Sequence, residues 1–339
     1  MTEKKITYKS SGVDIQAGDN FVEWIKSKSS DKKLIGGFSG LFPVPMKGYK
    51  EPQLVASTDG VGTKLIIAEM MNVHNTIGID LVAMVVNDLV VCGAKPLFFL
   101  DYFAAGKLVP ETAKSVLEGI MNGCNQAGCI LLGGETAELP GIYSGKTYDL
   151  AGFGIGIVDK SKVIDGKKIK KGNVVIGLAS SGLHSNGYSL ARKVFFDANK
   201  CKINKKFPEL EKTLGEELLK PTIILVKPIL DIIKNAEVLG MANITGGGIE
   251  GNLCRVLPKK YDAVIDTESW QIPPIFKLIE KLGPVDKSEM FKSLNMGIGM
   301  TLVAPKEEAD QIIKIAAKHK INAYVIGEIT SGTGKVILK

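Results

Sequence analysis

The chain has 339 residues, of which 45% are hydrophobic, and this length supports two ordinary domain cores better than one. Its net charge of +7 comes from 43 basic and 36 acidic residues spread along the chain, without the basic block typical of nucleic-acid binding. The N-terminus has no apolar leader segment and no apolar run is long enough to cross a bilayer, so neither a membrane nor a nucleic-acid partner is expected. The 5 cysteines are odd in number and contain no Cys-x-x-Cys pair, which predicts a reducing, cytoplasmic location.

The first predicted strand runs directly into charged residues. Residues 53–58 predict a strand, and the sequence DGVGTK then places Asp59, two glycines and Lys64 in one turn before a helix that begins near Thr63. Such a turn can present a carboxylate, backbone amides and an ammonium group to a ligand. A plain strand-turn-helix with solvated charges has the same composition and is the alternative.

The next segment, GIDLVAMVVNDLVVCGAKP, predicts an almost wholly apolar helix that carries Asp80, Asn87 and Asp88. Positions i, i+7 and i+8 fall on one helical face, so the three polar side chains are predicted to converge. Burying a carboxylate in apolar surroundings is costly unless a cation or hydrogen-bond donors compensate it, and Mg²⁺ prefers oxygen ligands. The pattern therefore favours a magnesium site, with a helix-end hydrogen-bond network as the alternative.

Two further elements complete the first half of the chain. The segment ETAKSVLEGIMNGCNQAG predicts a helix that ends at Gly128, and a strand follows over residues 129–132. The sequence GGETAELPG then places Glu135 and Glu138 at the end of a buried element, where acids serve either as ligands or as helix caps. The segment YDLAGFGIGIVDK predicts a closely packed strand with regularly spaced glycines.

Two standard phosphate-binding signatures fail in this chain. The sequence GIYSGKT has three residues between its glycines where a P-loop requires four, and no buried strand precedes it. The run GFGIGIV lies inside a strand and lacks the helix that places a pyrophosphate at its N-terminus. A P-loop or a Rossmann-type nucleotide site is therefore not expected.

The polar, lysine-rich segment SKVIDGKKIKKG predicts a boundary between two domains, residues 1–165 and residues 166–339. In the second domain, ASSGLHSNGYSLARK places His184, Ser185 and Asn186 in a turn before a helix, where backbone amides can hold an anion. A turn histidine with a structural hydrogen bond is the alternative. The segment NITGGGIEGN offers Thr245 and three glycines to a phosphate, although it is uninformative alone.

Taken together, these motifs resemble those of the phosphoribosylformylglycinamidine cyclo-ligase family, also called aminoimidazole ribonucleotide synthetase. The resemblance covers nearly the whole chain and runs through YKSSGVDIQAG, GGFSGLF, STDGVGTKL, GIDLVAMVVNDLVVCGAKPLFFLDYFA, GGETAELPG, SSGLHSNGYSL, TGGGIEGNLCRVLP and NMGIGM. It implies an ATP- and Mg²⁺-dependent enzyme of purine biosynthesis. ATP would activate the formyl oxygen of formylglycinamidine ribonucleotide, an amidine nitrogen would attack the same carbon, and phosphate would leave as the imidazole ring closes.

The resemblance also implies roles for individual residues. The residues expected to act in catalysis are Asp59, Lys64 and His184. The residues expected to bind Mg²⁺ are Asp59, Asn87 and Asp88. The residues expected to bind the nucleotide are Lys26, Gly36, Gly37, Gly40, Asp59, Gly60, Gly62, Thr63, Lys64 and Glu135, with the segment from Gly36 to Gly40 as a flexible cover over the triphosphate. The residues expected to bind the substrate are His184, Ser185, Asn186, Arg192, Thr245, Gly246, Gly247 and Gly248.

The fold implied by the resemblance is of the α/β (α+β) class with two domains. The N-terminal sheet would pair with that of a second subunit to form a barrel in a homodimer, and a larger α/β domain would follow. Families with the same fold are alternatives, including formylglycinamidine synthetase, selenophosphate synthetase, thiamine-monophosphate kinase and a hydrogenase-maturation dehydratase. The first cysteine is Cys92, which disfavours the selenium enzyme and its N-terminal reactive cysteine. A nucleotide-binding regulator with an inactive site is the alternative outside the enzymes.

Overall fold

The computed structural model describes residues 11–12, 15–28 and 39–339. The predicted nucleotide residues Gly36 and Gly37 lie outside the described residues. Within them the chain forms two β-sheets of different size, each covered by helices, and this confirms the expected two-domain α/β fold. None of the helices in the described part of the chain combines the length and the apolar character needed to span a bilayer.

The first sheet has four strands in the order β1-β4-β2-β3. The strands are β1 (Pro52–Gly60), β2 (Lys95–Ala105), β3 (Ile130–Glu138) and β4 (Tyr148–Asp159). The helices of this half are α1 (Ile15–Lys28), α2 (Lys64–Met71), α3 (Ile77–Val90) and α4 (Pro110–Ala127). Strand β4 is antiparallel to both of its neighbours, whereas β2 and β3 are parallel because α4 crosses between them.

Glycines in β4 explain why α3 can lie so close to the sheet. A Cβ atom on Gly152 would lie 2.4 Å from the ring of Phe99, and one on Gly154 would lie 2.6 Å from the side chain of Val85 in α3. Because these glycines have no side chain, the apolar helix α3 can pack directly on the strand. The prediction that GFGIGIV is a closely packed strand rather than a nucleotide loop is therefore confirmed.

The opposite face of this sheet is largely uncovered in the described part of the chain. Leu54 is 63% exposed and Phe153 is 45% exposed, although both lie in the middle of strands. Phe42 packs on Phe98 at the edge of this face, with 5.0 Å between the ring centres. We call this surface the open face; it is an apolar sheet surface that one chain leaves in contact with solvent.

The second sheet has six strands in the order β10-β7-β9-β5-β8-β6. Its strands are β5 (Val174–Ala179), β6 (Gly240–Asn243), β7 (Tyr261–Ile265), β8 (Ile298–Ala304), β9 (Ala323–Ser331) and β10 (Val336–Leu338). The helices are α5 (Tyr188–Arg192), which continues as a π-helix over Lys193–Ala198, α6 (Leu214–Leu218), α7 (Val226–Asn235), α8 (Gly248–Leu253), α9 (Pro274–Leu282), α10 (Lys287–Ser293) and α11 (Ala309–Lys318). All seven residues of β8 are buried, so the core of this half lies around its central strands.

The two halves meet along α3. This helix packs against α7, and the extended segment 220–225 that precedes α7 follows its polar side. Because α3 also covers the first sheet, its residues are positioned to reach both halves of the molecule. The end of β1, the last turn of α3 and the end of β6 approach one another at the boundary between the halves, and we call this region the cleft.

Candidate active site

Asp59 lies near the end of β1, at the point where the chain leaves the sheet for α2. Its carboxylate accepts a hydrogen bond from the backbone N–H of Gly60 at 2.7 Å, and the residue is half-buried. Burial raises the pKa of Asp59 above its ordinary value, and the Gly60 bond opposes this only in part. A carboxylate that is partly desolvated with so few donors is well suited to a cation.

Asp88 lies in the last turn of α3 and faces the same cleft. Asn243, at the end of β6, donates from its amide to Asp88 at 2.8 Å. Burial raises the pKa of Asp88; the Asn243 bond lowers it, the negative charge of Asp59 raises it, and the guanidinium of Arg255 lowers it. Because the charge of Asp59 acts on Asp88, the two acids lie near each other although they come from different elements.

The chemistry of this donor set fits a magnesium ion. Two half-buried carboxylates repel each other, and a divalent cation between them would relieve that repulsion. Among the described residues no group of three or more His, Cys, Asp or Glu side chains is arranged to hold a metal. Mg²⁺ commonly uses only one or two protein carboxylates and fills its other positions with water and substrate phosphate, so the two acids suffice.

The loop from Thr245 to Gly248 closes the cleft from the side of the second domain. The amide of Asn252 donates to the carbonyls of Gly246 at 3.3 Å and Gly248 at 2.8 Å, and so holds the loop in shape. Gly248 has a φ of +61° and a Cβ there would lie 1.8 Å from the carbonyl oxygen of Phe291, so only glycine fits. The backbone N–H of Gly246 donates to Asn186, which brings the two predicted substrate segments together.

The remaining predicted residues of this cleft are exposed to different degrees. Thr63 shares a hydrogen bond of 3.2 Å with Ser189 across the two halves, and Gly62 has a φ of +71° in the turn before α2. Arg192 ends α5 and is half-buried. Gly60 follows Asp59 directly, so four of the residues from the DGVGT turn border the cleft.

Lys64, expected to act in catalysis and to bind the nucleotide, lies in the interior at the joint between the two halves. Its side chain is completely buried, and it forms an ion pair of 2.9 Å with Asp80. The ammonium group also donates to the carbonyls of His184 and Lys220. All three of its hydrogens therefore have protein acceptors, and none remains for a phosphate.

His184, expected to act in catalysis and to contact the substrate, is enclosed as well. The residue is 3% exposed, and its Nε2 accepts a hydrogen bond from the N–H of Ser181 at 3.2 Å. Burial and the neighbouring charge of Lys64 lower the pKa of His184 to about 3, so the ring is neutral near pH 7. These surroundings are those of a histidine with a structural hydrogen bond, the alternative given for this turn.

Two other predicted site residues are also buried and have protein partners. Asn87 donates to the carbonyl of Ile223 at 2.9 Å and accepts from the N–H of Leu225 at 2.9 Å, so its amide is held by the main chain of the second half. Ser185 directs its hydroxyl to Asp80 and Thr222. Asp80, Asn87 and Asp88 were predicted to converge on one face of α3. In the structure, Asp80 and Asn87 are buried where the two halves meet, and only Asp88 faces the cleft.

The predicted nucleotide residues Gly40 and Glu135 border a second feature, a cavity of about 1220 Å³ beside the edge strand β3. Helix α1, residues 39–44 and all four strands of the first sheet line it, including Leu54 and Phe153 of the open face, and we call it the sheet cavity. Glu135 lies three strands from Asp59, about 14 Å across the sheet at the usual spacing, so it belongs to the cavity and not to the acid pair. Lys26 lies on α1 next to the cavity and pairs with Glu23 at 2.8 Å.

Three residues of these sites were missed by the sequence analysis. Asn243 and Arg255 act on Asp88 from far along the chain, and no spacing pattern links them to it. Asp101, within the apolar strand β2, did carry a signal because a charge in the run LFFLDYFA is unusual. Burial raises its pKa to about 7, and it lines the sheet cavity.

Comparison with protein-family models gives two matches in chain order. Residues 46–158 match AIR synthase related protein, N-terminal domain, and residues 170–339 match AIR synthase related protein, C-terminal domain. Together the two matches cover more than half of the chain, and each contains one of the two sheets. The cleft and the two sheets are thus those of an AIR synthase-related, two-domain protein.

Solved structures show the same fold at low sequence identity. The hydrogenase maturation protein HypE of E. coli has a TM-score of 0.68 and 16% identity, with 96% of this chain and 94% of that chain covered. Thiamine-monophosphate kinase from Stenotrophomonas maltophilia has a TM-score of 0.63 and 15% identity, with 95% of each chain covered. Another HypE structure, solved in complex with ATP, has a TM-score of 0.65 and 13% identity, with 99% of this chain and 92% of that chain covered.

Curated relatives are much more similar. The phosphoribosylformylglycinamidine cyclo-ligase of Syntrophotalea carbinolica is 55% identical over 96% of this chain and 95% of its own length. The protein of the same name from Carboxydothermus hydrogenoformans is 53% identical over 99% of both chains. The one from Bacillus mycoides is 50% identical over 98% of both chains. The chain belongs to the phosphoribosylformylglycinamidine cyclo-ligase family, as the motifs predicted.

Proposed function

We propose that the protein catalyses the ATP-dependent cyclisation of formylglycinamidine ribonucleotide to 5-aminoimidazole ribonucleotide, with release of ADP and phosphate, in purine biosynthesis. The observation that carries this proposal is the match, at 50% identity or more and over nearly the whole length, to relatives named for that reaction. The cleft with its paired acids supports it, because phosphoryl transfer depends on positioning and charge neutralisation rather than on a covalent nucleophile.

The acid pair Asp59 and Asp88 would hold Mg²⁺, which neutralises the charge of the phosphates when it is bound. Burial raises the pKa of Asp88, and the Asn243 hydrogen bond and the charge of Arg255 oppose that rise, so both neighbours favour the charged carboxylate that a cation needs. The turn of Gly60, Gly62 and Thr63 follows Asp59 directly, and the amides of Gly62 and Thr63 would face the phosphates. This assignment keeps the role proposed for the DGVGT turn and leaves out Lys64.

The nucleotide would be held between this turn and the sheet cavity. Gly40 and Glu135 line that cavity, and Lys26 lies at its border on α1. A Cβ on Gly40 would lie 2.5 Å from Leu132, so the chain approaches β3 as closely as glycine permits. Gly36 and Gly37 would extend this segment as a cover over the triphosphate.

The substrate would occupy the side of the cleft formed by the second domain. The Thr245 to Gly248 loop would hold its phosphate with groups such as the N–H of Gly247, and Asn186 and Arg192 would contact the remainder. The formyl oxygen would be phosphorylated, the amidine nitrogen would then form its bond to the same carbon, and the C–O bond to phosphate would break. No protein side chain needs to form a covalent bond in this sequence.

We further propose that two copies associate through the open face, so that two four-stranded sheets form one barrel. The exposure of Leu54 on the edge strand β1 and of Phe153 in the middle of β4 supports this, because monomeric proteins rarely leave an apolar sheet face uncovered.

We place the junction between the domains at residues 165 and 166, between the end of β4 and the start of β5. A cytoplasmic location follows from the proposed pathway.

The test of the proposed function is incubation of the purified protein with ATP, Mg²⁺ and formylglycinamidine ribonucleotide, with aminoimidazole ribonucleotide and ADP followed by mass spectrometry. The two products are expected in equal amounts. Formation of ADP without the imidazole product would contradict the proposal and indicate a kinase-like reaction. Absence of both products in a folded protein would indicate a nucleotide-binding regulator.

A further inference from the structure

Lys64 and Asp80 are both completely buried, and the surroundings of Lys64 come from both halves of the molecule. Its ammonium group donates to Asp80 at 2.9 Å, to the carbonyl of His184 at 2.9 Å and to the carbonyl of Lys220 at 2.7 Å. Asp80 belongs to the first half, whereas both carbonyls belong to the second. Lys64 therefore connects Asp80 of the first half with two main-chain segments of the second half.

Asp80 makes the connection stronger from the other side. The carboxylate oxygen that binds Lys64 also accepts from the N–H of Thr222 at 2.7 Å, from the Thr222 hydroxyl at 2.7 Å and from the Ser185 hydroxyl at 3.3 Å. Each of these donors comes from the second half. Hydrogen bonds to a charged oxygen are directional and stronger than neutral ones, so they hold one relative arrangement of the two halves where apolar packing alone would permit several.

The hydrogen bonds that Lys64 and Asp80 make to the second half hold the turn next to the cleft. The carbonyl of His184 and the hydroxyl of Ser185 fix the turn, and Asn186 follows directly with its amide oxygen on the N–H of Gly246. His184 has a φ of +60°, a conformation that few non-glycine residues adopt, so the turn needs support from its surroundings. The position of the turn therefore determines the position of the glycine loop.

In the first half, Lys64 and Asp80 are linked through the main chain to the acid pair. Lys64 begins α2 immediately after the turn that follows Asp59. Asp80 and Asp88 lie on the same rigid helix, about 12 Å apart along its axis at the usual rise. A displacement of the Lys64–Asp80 pair would therefore change the distance between the acids and the glycine loop.

We propose that Lys64 and Asp80 are positioning residues that set the separation between the acid pair Asp59 and Asp88 and the substrate loop at Gly246. This inference rests on the proposed function for the identity of the ligands on the two sides. It assigns to the lysine of the DGVGTK motif a role through other residues, without contact to nucleotide or substrate.

The decisive variant is the double substitution Lys64→Met with Asp80→Asn, because a single substitution would leave an unpaired charge in the interior. The asparagine keeps an acceptor for Thr222, while the two carbonyl contacts of Lys64 are lost. We expect a folded protein whose kcat/KM for formylglycinamidine ribonucleotide falls at least 100-fold, with the affinity for a non-hydrolysable ATP analogue within threefold of the original. Lys281→Met, which breaks an exposed ion pair with Glu209, is the matched control and should leave both values unchanged.

A second measurement does not depend on turnover. Amide hydrogen exchange at Gly246 reports directly whether the loop is held by the turn, because that N–H is bonded to Asn186. We expect at least tenfold faster exchange at Gly246 in the double variant and no change in Lys281→Met. Unchanged exchange and unchanged kcat/KM in the double variant would overturn the positioning role.

The milder variant Thr222→Val covers the case in which the double variant does not fold. It removes one hydroxyl from Asp80 while the backbone bond remains, and it should give a smaller change of about three- to tenfold in kcat/KM with faster exchange at Gly246. A folded Thr222→Val protein with original values for both would count against the proposal. If the unsubstituted protein fails to convert formylglycinamidine ribonucleotide, the proposed function is wrong, and the exchange measurement alone then decides the positioning role.

Discussion

At the scale of single residues, the polar groups of the turn after β1 and of the apolar helix have two kinds of surroundings. Asp59 and Asp88 lie near each other at the cleft, although they come from different elements. Lys64 and Asn87 instead have protein partners more than 100 positions along the chain. A local pattern reveals that a buried charge needs a partner but does not reveal which distant segment supplies it.

Asp88→Asn is expected to lower turnover at least 100-fold while it changes the free energy of unfolding by no more than about 1 kcal/mol. The substitution removes one charge of the proposed magnesium site and relieves repulsion with Asp59. Steady-state rates and thermal melts on the same preparation would measure the two effects. Asp310→Asn, on the exposed side of α11, should change neither value. Full turnover in folded Asp88→Asn would rule out the metal role.

Asp101→Asn should make stability less dependent on pH. The pKa of this carboxyl is raised by burial from 3.8 to about 7, so the folded protein holds the proton more tightly than the unfolded chain does. The stability that this protonation contributes is therefore complete below pH 4 and is lost as the pH rises to about 7. Relative to the original protein, Asp101→Asn should gain about 2–3 kcal/mol between pH 5 and pH 8. Urea unfolding at the two pH values measures this, and an equal effect at both would show that Asp101 is already ionised at pH 5.

At the scale of elements, most helices and strands follow from periodicity and end signals. The predicted end at Gly128 is where α4 stops, with a φ of +73° at that glycine. The sequence GGETAE was expected to follow its strand, but it continues β3 as far as Glu138. Glycine normally weakens a strand, and here pairing with β2 overrides that preference, since Gly134 lies against the Asp101 side chain, where a Cβ would come within 2.2 Å.

Gly154→Ala is expected to destabilise the protein by about 1–3 kcal/mol, because the added methyl group would overlap Val85 and push α3 away from the sheet. Since α3 carries Asp88, turnover should fall as well. Chemical denaturation measures the loss. The control is Gly251→Ala in α8, where a Cβ meets nothing within 4 Å and the helix should gain a little stability. Similar values for both variants would show that α3 can adjust to a side chain in β4.

At the scale of the whole molecule, the two-domain α/β fold was predictable because the chain length and the lysine-rich segment both point to it. The relative placement of the halves was not predictable from composition, since it depends on side chains that reach the main chain of residues 220–225. The open face could not be derived from the residues either, because a strand pattern does not say which of its faces another chain covers.

Leu54→Glu is expected to convert the proposed dimer into monomers, since it places a charge at the centre of the open face, where Leu54 is 63% exposed in one chain. Sedimentation velocity should show twice the mass of one chain for the original protein and a single-chain mass for the variant. Val325→Glu, at a 43% exposed position of the second sheet, is the control and should leave the larger mass intact. A monomeric original protein would contradict the barrel arrangement.

The joint between the halves has a consequence for how freely the sequence can diverge. Lys64 and Asn87 form hydrogen bonds with backbone atoms of residues 184, 220, 223 and 225 in the second domain. No side chain of the second domain takes part in these particular bonds. Substitutions at positions such as Lys220 and Ile223 therefore leave the acceptors in place, whereas Lys64 has no substitute. Mutational tolerance should therefore differ between neighbouring positions: a second domain transplanted from a distant relative should still dock if its main chain follows the same path and it keeps the hydroxyls that meet Asp80 at positions 185 and 222.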